Sequence, residues 1–183
     1  MTNTDSPIVW IMIGVAGSGK TTIGRLLANR LECDFLEGDR RHTAANIKKM
    51  VAQAPLNDGD RREWLDAIAN DIRRAIDLKR ETVITCSALK QAHRQRLMAL
   101  GAVQLVWLEL SESHLRQRLT QRDNHYMQAE LLASQLNTYE AIQTTESDIL
   151  TVDATQPPAW VVEQIWRQAL ACYPHLKQVW WQR

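Results

Sequence analysis

Eight residues near the start of the chain have the types and the spacing of a phosphate-binding loop. They are Gly14, Val15, Ala16, Gly17, Ser18, Gly19, Lys20 and Thr21, which fit the pattern G-x-x-x-x-G-K-S/T. Glycines here let backbone N–H groups turn toward phosphate oxygens, and Lys20 is placed to reach the β- and γ-phosphates as a catalytic cation. Thr21 offers its hydroxyl to Mg²⁺, and Thr22 is expected to contact the α-phosphate side. The loop therefore predicts a nucleotide site, with ATP as the expected nucleotide.

A chance turn of glycine and serine before a helix is the alternative to a phosphate loop. The flanking residues disfavour it, because an apolar run over 8–13 precedes the loop and apolar residues follow it at helical spacing. Those that follow are Ile23, Leu26, Leu27 and Leu31. The loop therefore lies between a predicted buried strand and a predicted helix, as a phosphate loop requires.

Two carboxylates follow the second predicted strand, in the sequence Glu37-Gly38-Asp39. In an extended chain both side chains can point toward the phosphate site from one edge. Asp39 is the predicted catalytic base, which orients an acceptor hydroxyl and accepts its proton, while Glu37 is predicted to hold Mg²⁺ through water. A solvated turn that caps a helix is the alternative.

Basic residues follow the later strands. Lys90 and Arg94 are four residues apart, so they are predicted to share a helix face and to meet an anionic group. Arg118 and Arg122 have the same spacing at the end of a predicted helix that enters a polar loop. In a phosphotransferase such arginines belong to a mobile lid that neutralises developing charge and excludes water, which makes Arg122 a catalytic candidate. A solvated helix face is the alternative in both cases.

These residues must be positioned by strands and helices that alternate along the chain. Strands are predicted at 8–13, 34–37, 82–86, 103–110 and 148–152. Helices are predicted after Lys20, at 43–52, 60–79, 89–99, 111–121 and 129–141, and from 158 onward. The alternation predicts an α/β fold of three layers, with a parallel sheet between helices and a ligand at the carboxyl ends of the strands. The pieces near 53–60 and 122–128 are predicted substrate and lid loops.

Length and composition restrict the class of protein. The chain has 183 residues, of which 45% are hydrophobic, which suits one α/β domain over residues 1–183. Its formal net charge of +1, with charges interspersed, disfavours a nucleic-acid partner. The three cysteines lack the spacing of a disulfide framework or a zinc site. The apolar run before the loop is too short for a signal peptide or a membrane span, so we expect a cytoplasmic protein that binds a small molecule and no membrane.

The order of these motifs resembles the P-loop gluconokinases. After the phosphate loop come F-L-E-G-D-x-x-H at 35–42, N-x-x-K-M at 46–50, P-L-N-D-x-D-R-x-x-W-L at 55–65, C-S-A-L-K-x-x-x-R at 86–94, R-L-x-x-R-x-x-H-Y at 118–126 and S-Q-L-x-T-x-E at 134–140. The resemblance runs from about residue 8 to about residue 170. Many enzymes share the phosphate loop, whereas P-L-N-D together with C-S-A-L-K is specific.

The resemblance implies ATP-dependent phosphorylation of D-gluconate at its terminal hydroxyl, on a fold similar to shikimate and adenylate kinases. It makes Asp39 the acceptor-orienting carboxylate, places Arg118 and Arg122 in a lid near the nucleotide, and places 152–157 beside adenine. The sugar-acid pocket of the family maps onto Asp39, His42, Arg61, Trp64, Lys90, Arg94, His125 and Gln135. The resemblance also implies Mg²⁺ as cofactor, a homodimer, a lid near 118–130, and a tail near 173–183 that extends past the family-like region.

Six residues depart from the usual pattern of that family, namely Thr43, Gln53, Gly59, Glu63, His93 and Ile142. His93 stands where tyrosine is common, and four of the six surround the expected substrate pocket. A kinase of another sugar acid or polyol is therefore one alternative. A nucleotide-dependent regulatory switch without an acceptor is a second alternative, from a different class of protein.

Overall fold

The computed structural model describes residues 7–52, 54, 56–120, 125–174 and 176, with the backbone alone for 125–130. The strands are β1 (Val9–Ile13), β2 (Asp34–Glu37), β3 (Thr82–Cys86), β4 (Val103–Glu109) and β5 (Leu150–Asp153). The helices are α1 (Lys20–Leu31), α2 (Ala44–Val51), α3 (Asp58–Asp77), α4 (Gln91–Met98), α5 (Glu112–Thr120), α6 (His125–Thr138) and α7 (Pro158–Cys172). Two short 3-10 helices span Gly38–Arg41 and Thr144–Glu146.

The five strands form one sheet in the order β2-β3-β1-β4-β5, and every neighbouring pair is parallel. The central strand β1 has the sequence VWIMI and is buried at all five positions. Its last residue, Ile13, pairs with Cys86 on β3 and with Trp107 on β4. Because these strands end level with one another, the segments that follow β1 and β3 leave the sheet at the same edge.

The two faces of the sheet are both covered, which confirms the predicted three-layer α/β architecture. Alternate residues of β1 point to opposite faces. Val9, Ile11 and Ile13 pack with buried residues of α3, α4 and α5. Trp10 and Met12 pack on the other side with buried residues of α1 and α7. Among the described residues, no helix combines the length and the apolar content needed to cross a bilayer.

Most predicted elements are confirmed, but α6 begins four residues earlier than the sequence indicated. It begins at His125, not at 129, so residues 125–128 of the predicted polar loop at 122–128 are helical. The segment 125–130 is polar, yet it contains neither glycine nor proline and continues into good helix formers. Polarity was therefore the wrong criterion for a loop here. Residues 121–124 and 177–183, which include Arg122 and most of the predicted tail, lie outside the described part of the chain.

Candidate active site

The phosphate loop joins β1 to α1 in a backbone conformation that requires glycine. Gly17 has φ of 83° and Gly19 has φ of 98°, both in the left-handed region. The side chain of Lys20 folds over the loop, and its Nζ donates to the carbonyl oxygens of Gly14 at 2.9 Å and Val15 at 3.0 Å. An ammonium group therefore lies against the loop at the positive end of α1. This is the arrangement of an anion site for phosphate.

Beside Lys20, two elements bring a hydroxyl and a carboxylate together. Thr21 Oγ1 donates to Glu37 Oε1 at 3.1 Å, and Thr85 Oγ1 on β3 donates to the same oxygen at 2.5 Å. Glu37 is thereby held at the end of β2 and directed toward the first turn of α1. Hydroxyl and carboxylate oxygens are the ligands that Mg²⁺ prefers. The donor set therefore fits the predicted metal site.

The turn that contains Asp39 is clamped between β3 and α3. Gly38 N donates to Thr85 Oγ1 at 3.0 Å, and the indole Nε1 of Trp64 donates to Gly38 O at 2.8 Å. A Cβ atom on Gly38 would lie 1.9 Å from the carbonyl oxygen of Thr85, so only glycine fits at this position. These contacts hold Asp39 at the carboxyl edge of the sheet, where it faces the same cavity as Lys20.

A cavity of about 590 Å³ lies beside the phosphate loop. Seven residues assigned to the site from the sequence line it, namely Ala16, Lys20, Asp39, His42, Arg61, Trp64 and Gln135. Four further polar residues of the wall were not predicted from the sequence, namely Ser87, His93, Ser134 and Thr138. His93 had a signal, because it follows the C-S-A-L-K segment by one helical turn. An apolar part of the wall comes from α2 and α6, with Ile47, Met50, Val51 and Leu131.

His42 has a defined position and a defined charge preference in this cavity. Its ring stacks on Trp64 with 4.8 Å between ring centroids and an angle of 11° between planes. Burial lowers the pKa of His42, although the nearby Asp39 carboxylate acts in the opposite direction. The imidazole is therefore mainly neutral at neutral pH. A neutral imidazole offers one donor and one acceptor, which suits the hydroxyls of a polyol.

Two predicted cations meet at one carboxylate. Lys90 Nζ lies 2.8 Å from Asp58 Oδ1, and Arg61 Nη1 lies 3.5 Å from the same oxygen. The hydrogen bond from Lys90 is the main reason that the pKa of Asp58 is lowered. His93 lies close enough to this group to feel its charges. Burial is the main cause that lowers the pKa of His93, and the charges of Lys90 and Arg61 lower it further. Arg61 and His93 line the cavity whereas Lys90 does not, so the positive charge on that part of its wall comes from Arg61.

The position of Arg94 in the structure contradicts the prediction that this residue binds substrate directly. Its side chain is fully buried, and its Nε and Nη2 atoms donate to the two carboxylate oxygens of Glu146 at 2.8 and 2.9 Å. Its remaining donors are directed at the carbonyl oxygens of Leu89, Glu140 and Ala141. No N–H of the guanidinium is therefore left for a ligand. Arg94 instead connects the start of α4 to the segment that follows α6.

Two further residues contact the phosphate loop from distant parts of the chain. Gln135 on α6 accepts a hydrogen bond from Ala16 N at 2.6 Å, and it also lines the cavity. Arg118 on α5 donates to Ser18 O at 3.3 Å and to Ala154 O at 2.6 Å. Arg118 thus lies between the phosphate loop and the predicted adenine segment. For His125, the description covers only the backbone, at the first residue of α6.

Together, the parallel sheet, the loop after its central strand and the Asp39 carboxylate on the wall of the same cavity define a P-loop kinase. Comparison with known proteins agrees with this class. Residues 9–143 match the sequence family described as an AAA domain. The probable gluconokinase of Schizosaccharomyces pombe is 38% identical over 160 residues, which are 82% of this chain and 82% of that protein. The thermosensitive gluconokinase of Escherichia coli is 38% identical over 165 residues, 88% and 87% of the two chains.

Solved structures give the same result. The crystal structure of a gluconokinase from Sinorhizobium meliloti superposes with a TM-score of 0.79 at 36% identity, covering 96% of this chain and 97% of that one. Shikimate kinase from Aquifex aeolicus, at 16% identity and a TM-score of 0.61, shares the fold. The chain therefore belongs to the gluconokinase family.

Proposed function

We propose that this protein transfers the γ-phosphoryl group of ATP to the terminal hydroxyl of D-gluconate and releases ADP and 6-phospho-D-gluconate. The observation that supports this most is a single cavity with Lys20 and Asp39 on one part of its wall and Arg61 with His93 on another. An acceptor with a carboxylate at one end and a primary hydroxyl at the other fits such a cavity. Relatives named gluconokinase, at 36–38% identity, support the same acceptor.

In the proposed reaction, each residue has one task. Asp39 orients the terminal hydroxyl and accepts its proton as the new oxygen–phosphorus bond forms. Lys20 stabilises the negative charge on the phosphoryl oxygens, and the leaving ADP takes up the electrons of the broken bond. Arg118 already contacts the phosphate loop, and we place Arg122 with it in a lid near 118–130 that closes over the nucleotide.

Mg²⁺ is part of this proposal. The Thr21 hydroxyl would bind it directly and the Glu37 carboxylate through water, since these two groups lie 3.1 Å apart beside the loop. When bound, Mg²⁺ neutralises charge on the β- and γ-phosphates. We further propose that the chain is a single kinase domain, that it is cytoplasmic, and that it forms a homodimer as its family resemblance implies. Size-exclusion chromatography with light scattering tests the dimer.

Most of the departures from the family pattern that the structure describes do not line the cavity, so they do not count against gluconate. Thr43 replaces a usual proline, yet its side chain accepts a hydrogen bond from Asn46 N and caps α2. Gly59 and Glu63 lie on α3, and neither lines the cavity. Ile142 packs against the core. Among the departures that the structure describes, His93 is the one on the cavity wall, so the chemistry of the pocket is largely that of the family.

The test is ADP release from Mg-ATP with D-gluconate present and absent, beside a panel of other aldonic acids, D-glucitol and shikimate. We expect strong stimulation by gluconate and little by the neutral polyol. Stimulation of ADP release by a different acid alone would identify that acid, and not gluconate, as the acceptor. ATP binding with no stimulation by any member of the panel would favour the regulatory switch.

A further inference from the structure

The ion pair that joins Asp58 to Lys90 and Arg61 is unequally buried, and of these three residues Arg61 lines the cavity. The side chains of Lys90 and Arg61 are 28% and 22% exposed, whereas the side chain of Asp58 is 71% exposed. The carboxylate is therefore the member that can leave without disturbing the core. Of the two cations, Lys90 lies at the start of α4 and Arg61 lies on the first turn of α3.

Asp58 is not required for the start of its own helix. The N-terminus of α3 is capped by Asn57 and Asp60, whose side chains each accept a hydrogen bond from the other's backbone N–H at 2.9 Å. Asp60 is also held by Lys49, with its two carboxylate oxygens at 2.7 Å. These contacts fix the helix end whether or not Asp58 stays on Lys90. The start of α3 therefore does not depend on the ion pair between Asp58 and Lys90.

The charges around this position are balanced only while Asp58 is in place. Four charged groups act on His93 from three elements, namely Lys90, Arg61, Asp58 and Glu140. Glu140 is engaged elsewhere, because its Oε2 accepts a hydrogen bond from Gln91 N at 2.6 Å. If Asp58 moves into solvent, the three remaining groups carry a net charge of +1, to which the neutral imidazole of His93 adds nothing. One incoming carboxylate restores neutrality.

We propose that the Asp58 carboxylate is an internal stand-in for the carboxylate of the acceptor, bound to Lys90 and Arg61 in the free protein and displaced when a sugar acid enters. His93, on the cavity wall beside the two cations, contributes a further contact to the incoming carboxylate. The proposal rests on the proposed function, because it names the part of the site that recognises the acid end of the acceptor. A neutral polyol brings no anion to replace Asp58, so the exchange favours acids.

The displacement has a limited energetic cost. Exposed ion pairs are weak, so we expect the internal carboxylate to reduce acceptor affinity by about two- to fivefold. Asp58→Asn retains the shape of the side chain and removes its charge. This variant is therefore expected to bind a sugar acid about two- to fivefold more tightly than the wild type.

The test uses 6-deoxy-D-gluconate, which has the carboxylate but lacks the hydroxyl that accepts phosphate. Its dissociation constant is measured by calorimetry on the whole protein, so turnover does not affect the result. The matched control is Asp66→Asn, which removes another exposed carboxylate of α3, one that pairs with Arg96. We expect tighter binding in Asp58→Asn and unchanged binding in Asp66→Asn. Equal or weaker binding in Asp58→Asn overturns the proposal, since Asp58 would then orient the cations and not compete for them.

A second variant checks that the effect passes through the lysine. Lys90→Met is expected to weaken binding of 6-deoxy-D-gluconate, and adding Asp58→Asn to it is expected to recover less affinity than in the wild-type background. Equal gains in the two backgrounds contradict competition for Lys90. The proposed function is tested separately by wild-type turnover of D-gluconate. If the wild type turns over D-gluconate but Asp58→Asn does not bind 6-deoxy-D-gluconate more tightly, the displacement of Asp58 is overturned and the proposed function stands. If Asp58→Asn binds more tightly but the wild type does not turn over D-gluconate, the terminal hydroxyl is overturned as the phosphate acceptor and the displacement of Asp58 stands.

Discussion

The two halves of the candidate site are built in different ways. The phosphate half comes from one continuous segment, in which β1, the loop and α1 follow one another directly. The acceptor half collects side chains from the turn after β2, from α3, from α4 and from α6. Where the halves meet, Gln135 contacts Ala16 across 119 positions of sequence. A substitution that disturbs packing should therefore impair the acceptor half before it impairs nucleotide binding.

The largest expected effect separates the two halves chemically. Asp39→Asn retains the shape of the side chain and removes the base, so kcat is expected to fall about 10²- to 10⁴-fold. ATP binding, measured by calorimetry or fluorescence, is expected to persist, because the phosphate loop is untouched. The control is Asp71→Asn. Asp71 accepts hydrogen bonds from Arg41, which lies in the same turn as Asp39, and this variant should retain most activity. Turnover near the wild-type level in Asp39→Asn would remove Asp39 from its catalytic role.

The next effect concerns the buried ion pair behind the acceptor half. Arg94→Met leaves the Glu146 carboxylate without its buried partner, which is expected to cost about 3–5 kcal/mol in the free energy of unfolding. Arg96 lies on the same helix as Arg94 and forms an exposed pair with Asp66 of α3, so Arg96→Met should cost less than about 1 kcal/mol. Urea unfolding of the two variants measures both values. Equal losses would contradict a structural role specific to Arg94.

A smaller effect is expected at the turn that holds Asp39. Gly38→Ala places a methyl group against the Thr85 carbonyl, which is expected to cost about 1–3 kcal/mol and to displace Asp39. Gly59→Ala is the matched control, since there the nearest atom to an added Cβ is Asn57 Oδ1 at 3.2 Å, on a side chain. We expect Gly38→Ala to lower kcat more than it alters the Kd for ATP. Thermal unfolding and steady-state kinetics that show no difference between the two variants would refute the clamp.

The smallest effect is a dependence of stability on pH. The hydrogen bonds from Arg94 are the main reason that the pKa of Glu146 lies below its ordinary value of 4.5. A lowered pKa in the folded protein means that this contribution is fully present above pH 4.5 and is lost as the pH falls through the folded pKa. The free energy of unfolding should therefore decline less steeply below pH 4.5 in Glu146→Gln than in the wild type. Parallel declines would show that Glu146 does not account for the loss.

Local pattern predicted the parts of the molecule that local physics controls. The bounds of β2 and β3 and the start of α7 agree with the prediction, because apolar runs and a proline at the helix start are local signals. The spacing argument failed for Lys90 and Arg94. Lys90 has extended backbone angles at the N-terminus of α4, so the two residues do not share a helix face. The spacing of two cations says nothing about which of them becomes buried.

By itself, the sequence determined the phosphate loop, the parallel α/β fold and the family, since each depends on neighbouring residues or on the order of motifs. Only the tertiary structure decided that Arg94 is buried on Glu146 while Arg61 and His93 face the cavity. It also decided that Asp58, in the P-L-N-D segment, pairs with Lys90. The physical reason is that burial and ion pairing depend on which distant segments pack together, and no short stretch of sequence contains that information.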